Sequence, residues 1–164
     1  MDNNWKLIQD HAKQALGFSQ ISITDCNLAE YIPHYHQWTE QKFHGDMDYM
    51  TKHGDKRLHP EQLVPGTERA IVVSLDYLTH KIKLSNVKET LSEKSDKAIL
   101  SQYALGRDYH KVIRKKLQNL ANFITELYPE HQYRAFTDSA PILEKPLAEK
   151  AGLGIIGKHG NLLH

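Results

Sequence analysis

The chain has 164 residues, of which 40% are hydrophobic and 25% charged, the proportions of one globular domain and not of a disordered tail, a coiled coil or a collagen-like fibre. A formal net charge of +1 gives no chain-wide attraction to nucleic acid, so any such contact must come from a local patch. The one cysteine, Cys26, excludes an internal disulfide, a zinc ribbon or an iron–sulfur cluster held by this chain alone. Trp5, Ile8, Ala12 and Leu16 share a helical face, with Asp2 or Asn3 as candidate N-cap and Gly17 as the stop. Phe18 to Ile23 alternates as a half-buried strand does, and Pro33 suits the first turn of a helix continuing through Tyr35, Trp38 and Lys42.

Residues 44 to 66 are rich in Gly, Pro, His and Asp and read as irregular surface loops of the kind that carry function. Ala70 to Leu75 is a short β-branched run, expected to be a buried strand. Residues 79 to 97 have few apolar anchors and read as an excursion or lid, followed by an expected strand from Ile99 to Leu105. Asp108 is the candidate N-cap of the strongest helix, whose apolar stripe is Ile113, Leu117, Leu120, Ile124 and Leu127 and which Pro129 ends. Tyr133 to Thr137 is expected to form a strand, and Pro146 to Lys150 a short helix before a glycine-rich end. Helices and strands alternate irregularly, so the expected class is α/β (α+β), a mixed β-sheet flanked by helices.

Three motifs carry possible chemistry. Gly152, Gly154 and Gly157 spell G-x-G-x-x-G, but they follow a helix instead of a strand, and no acidic residue stands some twenty positions later; a turn permitting close backbone approach is the better reading. Lys111, Arg114, Lys115 and Lys116 form a basic cluster. Pattern alone reads it as a solvated face, and the functional alternative is contact with RNA phosphates. Asp138, at an expected strand end, reads locally as a turn or cap residue; its sharper reading is a general acid whose carboxyl pKa is raised beside an apolar cofactor. His34 and His36, two residues apart on a helix, point about 200° apart and cannot share a metal.

Several stretches resemble the epoxyqueuosine reductase family: His44-Gly45-Asp46-Met47-Asp48-Tyr49-Met50, Asp55-Lys56-Arg57-Leu58-His59-Pro60 and Tyr103-Ala104-Leu105-Gly106-Arg107-Asp108-Tyr109-His110. The run from Phe136 to Gly154 and the Gly157-Lys158-His159-Gly160-Asn161 turn complete the likeness, which extends over essentially the whole chain. The resemblance implies an oxidoreductase that reduces epoxyqueuosine to queuosine at the wobble position of tRNA, using cobalamin fed by two 4Fe–4S clusters. It implies that residues 1–164 are the N-terminal cobalamin-binding catalytic domain, related in fold to reductive dehalogenases, with the cluster cysteines and ferredoxin-like portion beyond this sequence. Alone, the chain is expected to lack electron delivery and to be inactive.

Residue by residue, the resemblance makes Asp138 the proton donor and Arg57 a cobalamin contact. Ser101 and Tyr103 are expected beside the corrin, and Lys158 and His159 on the turn approaching it. Lys111, Arg114 and Lys115 are the candidate tRNA contacts, and no metal ligand is expected in the chain itself. The expected partner is a tRNA with a queuosine-type anticodon, acting with a monomeric cytoplasmic protein. No stretch is apolar enough to cross a membrane, and the first five residues have neither the basic flank nor the apolar core of a signal peptide. A cobalamin-binding or trafficking domain without catalysis, and a tRNA-binding module without cofactor, are the competing classes.

Overall fold

The computed structural model describes residues 3–77, 103, 107–138 and 140–163. Helix α1 runs Asn3–Asp10 and continues as a π-helical turn, His11–Ala15, which presents the His11 ring flat against Phe123 with centroids 4.0 Å apart. Gly17, at φ +70°, turns the chain out of this helix into strand β1, Gln20–Asp25. Helix α2, Ile32–Glu40, starts with Pro33 in its first turn, as expected, because that position requires no amide donor. Strand β2 is Arg69–Ser74, helix α3 Tyr109–Leu127, helix α4 Glu144–Lys150, and strands β3 and β4 are Ile155–Ile156 and Leu162–Leu163.

The strands pair as two separate antiparallel ribbons. β1 lies against β2 in the register Ile21↔Val73 and Ile23↔Ile71, and β3 against β4 as Ile155↔Leu163. The combination of helices with sheet agrees with the α+β expectation, but among the described residues both sheets are antiparallel and two-stranded, not one mixed sheet. β2 is half-buried and not fully buried: residues on both of its faces from Ala70 to Ser74 keep intermediate exposure, as suits a ribbon that is two-stranded among the described residues. The expected strand at Tyr133–Thr137 is absent, since this stretch has no ladder partner among the described residues. It is held instead by side chains: the Tyr133 hydroxyl donates to the Tyr128 carbonyl, and the Arg134 guanidinium lies 5.0 Å over the Phe136 ring. The expected excursion at 79–97 lies outside the described residues, as does all of the expected strand at Ile99–Leu105 except Tyr103.

The core forms where three amphipathic surfaces meet. Ile8 and Ala12 come from α1 and its π-helical continuation, Phe18 and Ile21 from the turn and β1, and Leu120 and Ile124 from α3. The α3 stripe is therefore the one its spacing predicts, and Asp108 caps it by accepting the His110 amide. Lys116 departs from the basic cluster read in the sequence. It sits at the edge of the stripe, turns inward to donate to the Leu16 carbonyl, and lies 5.8 Å over the Phe18 ring.

The loop region 44–66 is organised by short 3-10 turns at Asp48–Met50, Gly54–Leu58 and Pro60–Gln62. The glycine-rich end has a local cause. A Cβ at Gly154 would stand 2.2 Å from the Leu163 carbonyl oxygen, so Gly154 is required for the β3–β4 return to close on itself. Among the described residues, no helix is long and apolar enough to cross a membrane. Replacing Leu120, 2% exposed, by Ala removes a side chain at the meeting of helix and ribbon and should cost about 2–5 kcal/mol in chemical denaturation.

Candidate active site

Asp138 lies where the chain leaves the 131–136 stretch and approaches α4. Its backbone is left-handed, φ +47°, a conformation that costs a non-glycine residue on the order of 1 kcal/mol and that Asp and Asn tolerate best. The conformation is held from two sides. The Asp138 amide donates to Glu144 Oε1 at 3.0 Å, and Asp138 Oδ2 accepts from the Tyr109 hydroxyl at 2.7 Å. The expected strand end is thus a strained turn clamped between the first residues of two helices, α3 and α4.

A second group faces the same oxygen. His110 Nε2 stands 3.6 Å from Asp138 Oδ2, while its Nδ1 lies 3.1 Å from Asp108 Oδ1. The imidazole is stacked on the Tyr109 ring with centroids 4.0 Å apart. From Tyr109 a line of aromatic rings leads outward, Tyr103 at 5.8 Å and Tyr77 at 6.3 Å beyond it, both edge to face. Tyr77 and Tyr103 are 62% and 52% exposed, an unusual display of aromatic surface next to a strained carboxyl.

These contacts shift the ionisable groups in consistent directions. The hydrogen bond to Asp138 pushes the Tyr109 hydroxyl up to about 12, with desolvation and the negative Asp138 side chain acting the same way. Glu144 is raised above the ordinary carboxylate range, chiefly because protein crowds its carboxyl tip although the residue as a whole stays exposed. The Asp138 amide opposes that rise and the Asp138 carboxylate adds to it. Asp108 is lowered, first by its hydrogen bond with His110.

The other residues singled out in the sequence fall into separate places. Arg57 is buried, and its Nε and Nη2 donate to the carbonyls of Met50 at 3.0 Å and Tyr49 at 3.1 Å. Tyr35 donates to the same Met50 carbonyl, so in this structure Arg57 pins the 48–50 turn. Lys158 and His159 are exposed on the turn between β3 and β4, and His159 Nδ1 accepts the Asn161 amide. This turn is tied to the Asp138 clamp through adjacent residues. Lys145, next to Glu144, donates to the Gly160 carbonyl at 2.6 Å. Lys111, Arg114 and Lys115 share the exposed face of α3, away from its stripe. Ser101 lies outside the described residues. Sequence reasoning assigns no role to Tyr109 or His110, although Asp-x-His at a helix start, where both side chains can meet, is a usable signal.

The family profile described as epoxyqueuosine reductase QueG, DUF1730, matches residues 57–139, from the buried arginine through the strained aspartate. The chain belongs to the epoxyqueuosine reductase family. It is 51% identical over 160 residues to an epoxyqueuosine reductase of Francisella cf. novicida, covering 98% of this chain and 44% of that protein. It is 45% identical over 150 residues to an Escherichia coli K12 protein of the same name, covering 91% of this chain and 38% of that one. The chain thus spans about two fifths of the length of these relatives. The structure of epoxyqueuosine reductase from Streptococcus thermophilus shares the fold, with a TM-score of 0.79 at 22% identity over all of this chain and 42% of that one.

The Tyr109–Asp138 contact is directly measurable. Because the phenol is held up to about 12 mainly by its bond to the carboxylate, Asp138→Asn should return Tyr109 toward its ordinary value near 10. Carbon-13 NMR of labelled tyrosine rings reads this titration, and an unmoved Tyr109 curve would contradict the contact.

Proposed function

We propose that this chain is the cobalamin-binding catalytic domain of a tRNA epoxyqueuosine reductase, with Asp138 as the general acid. The observation that carries the proposal is the clamped, left-handed Asp138, supported from behind by Tyr109 and standing beside exposed aromatic rings, within a chain of this family. Corrin chemistry suits what the chain offers. A large planar macrocycle needs an apolar or aromatic wall, which Tyr103 and Tyr77 supply. It also carries its cobalt on its own ring nitrogens, so no cluster of protein ligands is demanded of the chain. Thr137 adds a buried hydroxyl oxygen without a hydrogen-bond partner among the described residues, adjacent to Asp138 and suited to a polar group of a bound molecule.

When bound, the reduced cofactor supplies the electrons that open the epoxide. The remaining work falls to the chain's own groups. Asp138 protonates the departing oxygen, and the hydroxyl of Tyr109, too weak an acid to ionise beside it, donates to Oδ2 and so orients the carboxyl. Tyr77 and Tyr103 exclude water from one side, and Lys158 and His159 reach the cofactor from the β3–β4 turn. Arg57 supports this assembly by fixing the 48–50 turn, and Ser101 is proposed as a further cofactor contact. The face formed by Lys111, Arg114 and Lys115 receives tRNA phosphates. The protein is proposed to act as a cytoplasmic monomer, with 4Fe–4S clusters and the electron path supplied outside these residues and a fold shared with reductive dehalogenases.

In a version extended to the length of the relatives, Asp138→Asn should slow single-turnover epoxide loss by about 10²–10⁴-fold, the range of a missing general acid, while cobalamin absorbance still reports binding. Wild-type rates would reject Asp138 as the acid. Reversing the charge of Lys111, Arg114 and Lys115 should weaken tRNA binding uniformly across sequences. It should also reduce the slope of log K against log salt by about one for each phosphate that is no longer neutralised.

A further inference from the structure

Reduction of an epoxide to an alkene consumes two electrons and two protons, because the oxygen leaves as water. A single carboxyl holds one proton, so an acid that serves the whole reaction must be reloaded before the oxygen departs. Tyr109 cannot reload it, since its hydroxyl is the donor that steadies Asp138 Oδ2 and holds its proton up to about 12.

His110 is placed to do so. Its backbone amide and its Nδ1 both lie against Asp108 Oδ1, at 3.0 and 3.1 Å, so two contacts from one residue orient the ring. The Asp108 carboxylate can only accept, which fixes the ring proton on Nδ1 and leaves Nε2 as the position that gains and loses a proton. Nε2 faces Asp138 Oδ2 at 3.6 Å, too long for a direct hydrogen bond but closed by a small ring rotation. Stacking on Tyr109 limits the ring to that plane, and half of the side chain remains open to solvent, which supplies protons. Among the described residues, the other charged groups at this end of α3 include Arg107, directly before the cap, Glu144 and Lys145, with Glu144 on the amide side of Asp138, and Lys111, 4.0 Å from Asp108 Oδ2.

We propose that Asp108, His110 and Asp138 form a proton relay in which His110 reloads the general acid. The proposal rests on the reading of Asp138 given above. Asp138 gives its proton to the departing oxygen and becomes a carboxylate. The imidazolium Nε2–H passes its proton to Asp138 Oδ2, and the neutral ring, still carrying its Nδ1 proton against Asp108, takes a new proton on Nε2 from water. No electrons move in these steps; the electron pair belongs to the reduced cofactor of the proposed function.

Two measurements test the relay. In this chain, nitrogen-15 NMR of the histidine rings should show neutral His110 as the Nδ1–H tautomer, reverting to the commoner Nε2–H form in Asp108→Asn. A neutral wild-type ring protonated on Nε2 would overturn the relay without reference to turnover. In the extended, cobalamin-loaded protein, His110→Ala should slow single-turnover formation of the alkene about tenfold or more, with tRNA binding unchanged, and added imidazole should restore a rate that rises with its concentration. A His110→Ala protein with the wild-type rate, or a slow one that imidazole does not rescue, would overturn the relay. If Asp138→Asn is inactive in the same assay, that result leaves the acid assignment standing. If Asp138→Asn keeps the wild-type rate, the acid reading fails and the relay with it.

Discussion

Helix α3 has to satisfy two demands at once, and most of the molecule follows from them. Along its length it must bury Leu120 and Ile124 against α1 and the β1–β2 ribbon, since no other described element offers an apolar stripe of that length. At its first turn it leaves backbone amides without intrahelical partners, and Asp108 accepts one of them. The cap fixes the helix start relative to the core. The same turn then projects Tyr109 and His110 toward Asp138, so the placement of the carboxyl is inherited from hydrophobic packing several turns further along the helix.

Helix α4 performs the complementary task with only seven residues. Glu144 accepts the Asp138 amide, and Lys145 reaches the Gly160 carbonyl. At the other end, Glu149 accepts from the Tyr31 hydroxyl at 2.8 Å, raising that phenol to about 12 through burial and the bond itself, and Lys150 pairs with Asp25 at 2.6 Å. A helix this short has little stability of its own. It is kept in place because its polar side chains are each anchored to a different part of the fold.

Much of this is legible in the residues. The stripe of α3, its Asp108 cap and the proline in the first turn of α2 all follow from local rules that do not depend on distant partners. The aspartate that stands out in the long family-like run is the one that the structure clamps. The failures have a common physical source, which is that the deciding partner lies far along the chain. Tyr133 to Thr137 has the composition of a strand but finds no ladder among the described residues, and Lys116 reads as part of a charged face until Leu16 and Phe18 appear beneath it. Gly154, by contrast, makes the close backbone approach that its motif suggests, and the approaching group is the carbonyl of Leu163 nine residues later. The hydrogen bonds of Arg57 to Tyr49 and Met50 depend on how the intervening loop coils, and they stand beside the cofactor role proposed for it.

The left-handed backbone at Asp138 carries a consequence for how this position can vary. Among residues with a Cβ, asparagine and aspartate enter this region most readily because their short polar side chains bond locally, so the turn favours glycine, asparagine and aspartate. Of these, glycine has no side chain and asparagine no acidic proton. Aspartate is thus the one favoured residue that also carries an acidic proton, and glutamate, chemically its nearest relative, is set apart by its weaker preference for this backbone and its longer reach, not by its acidity.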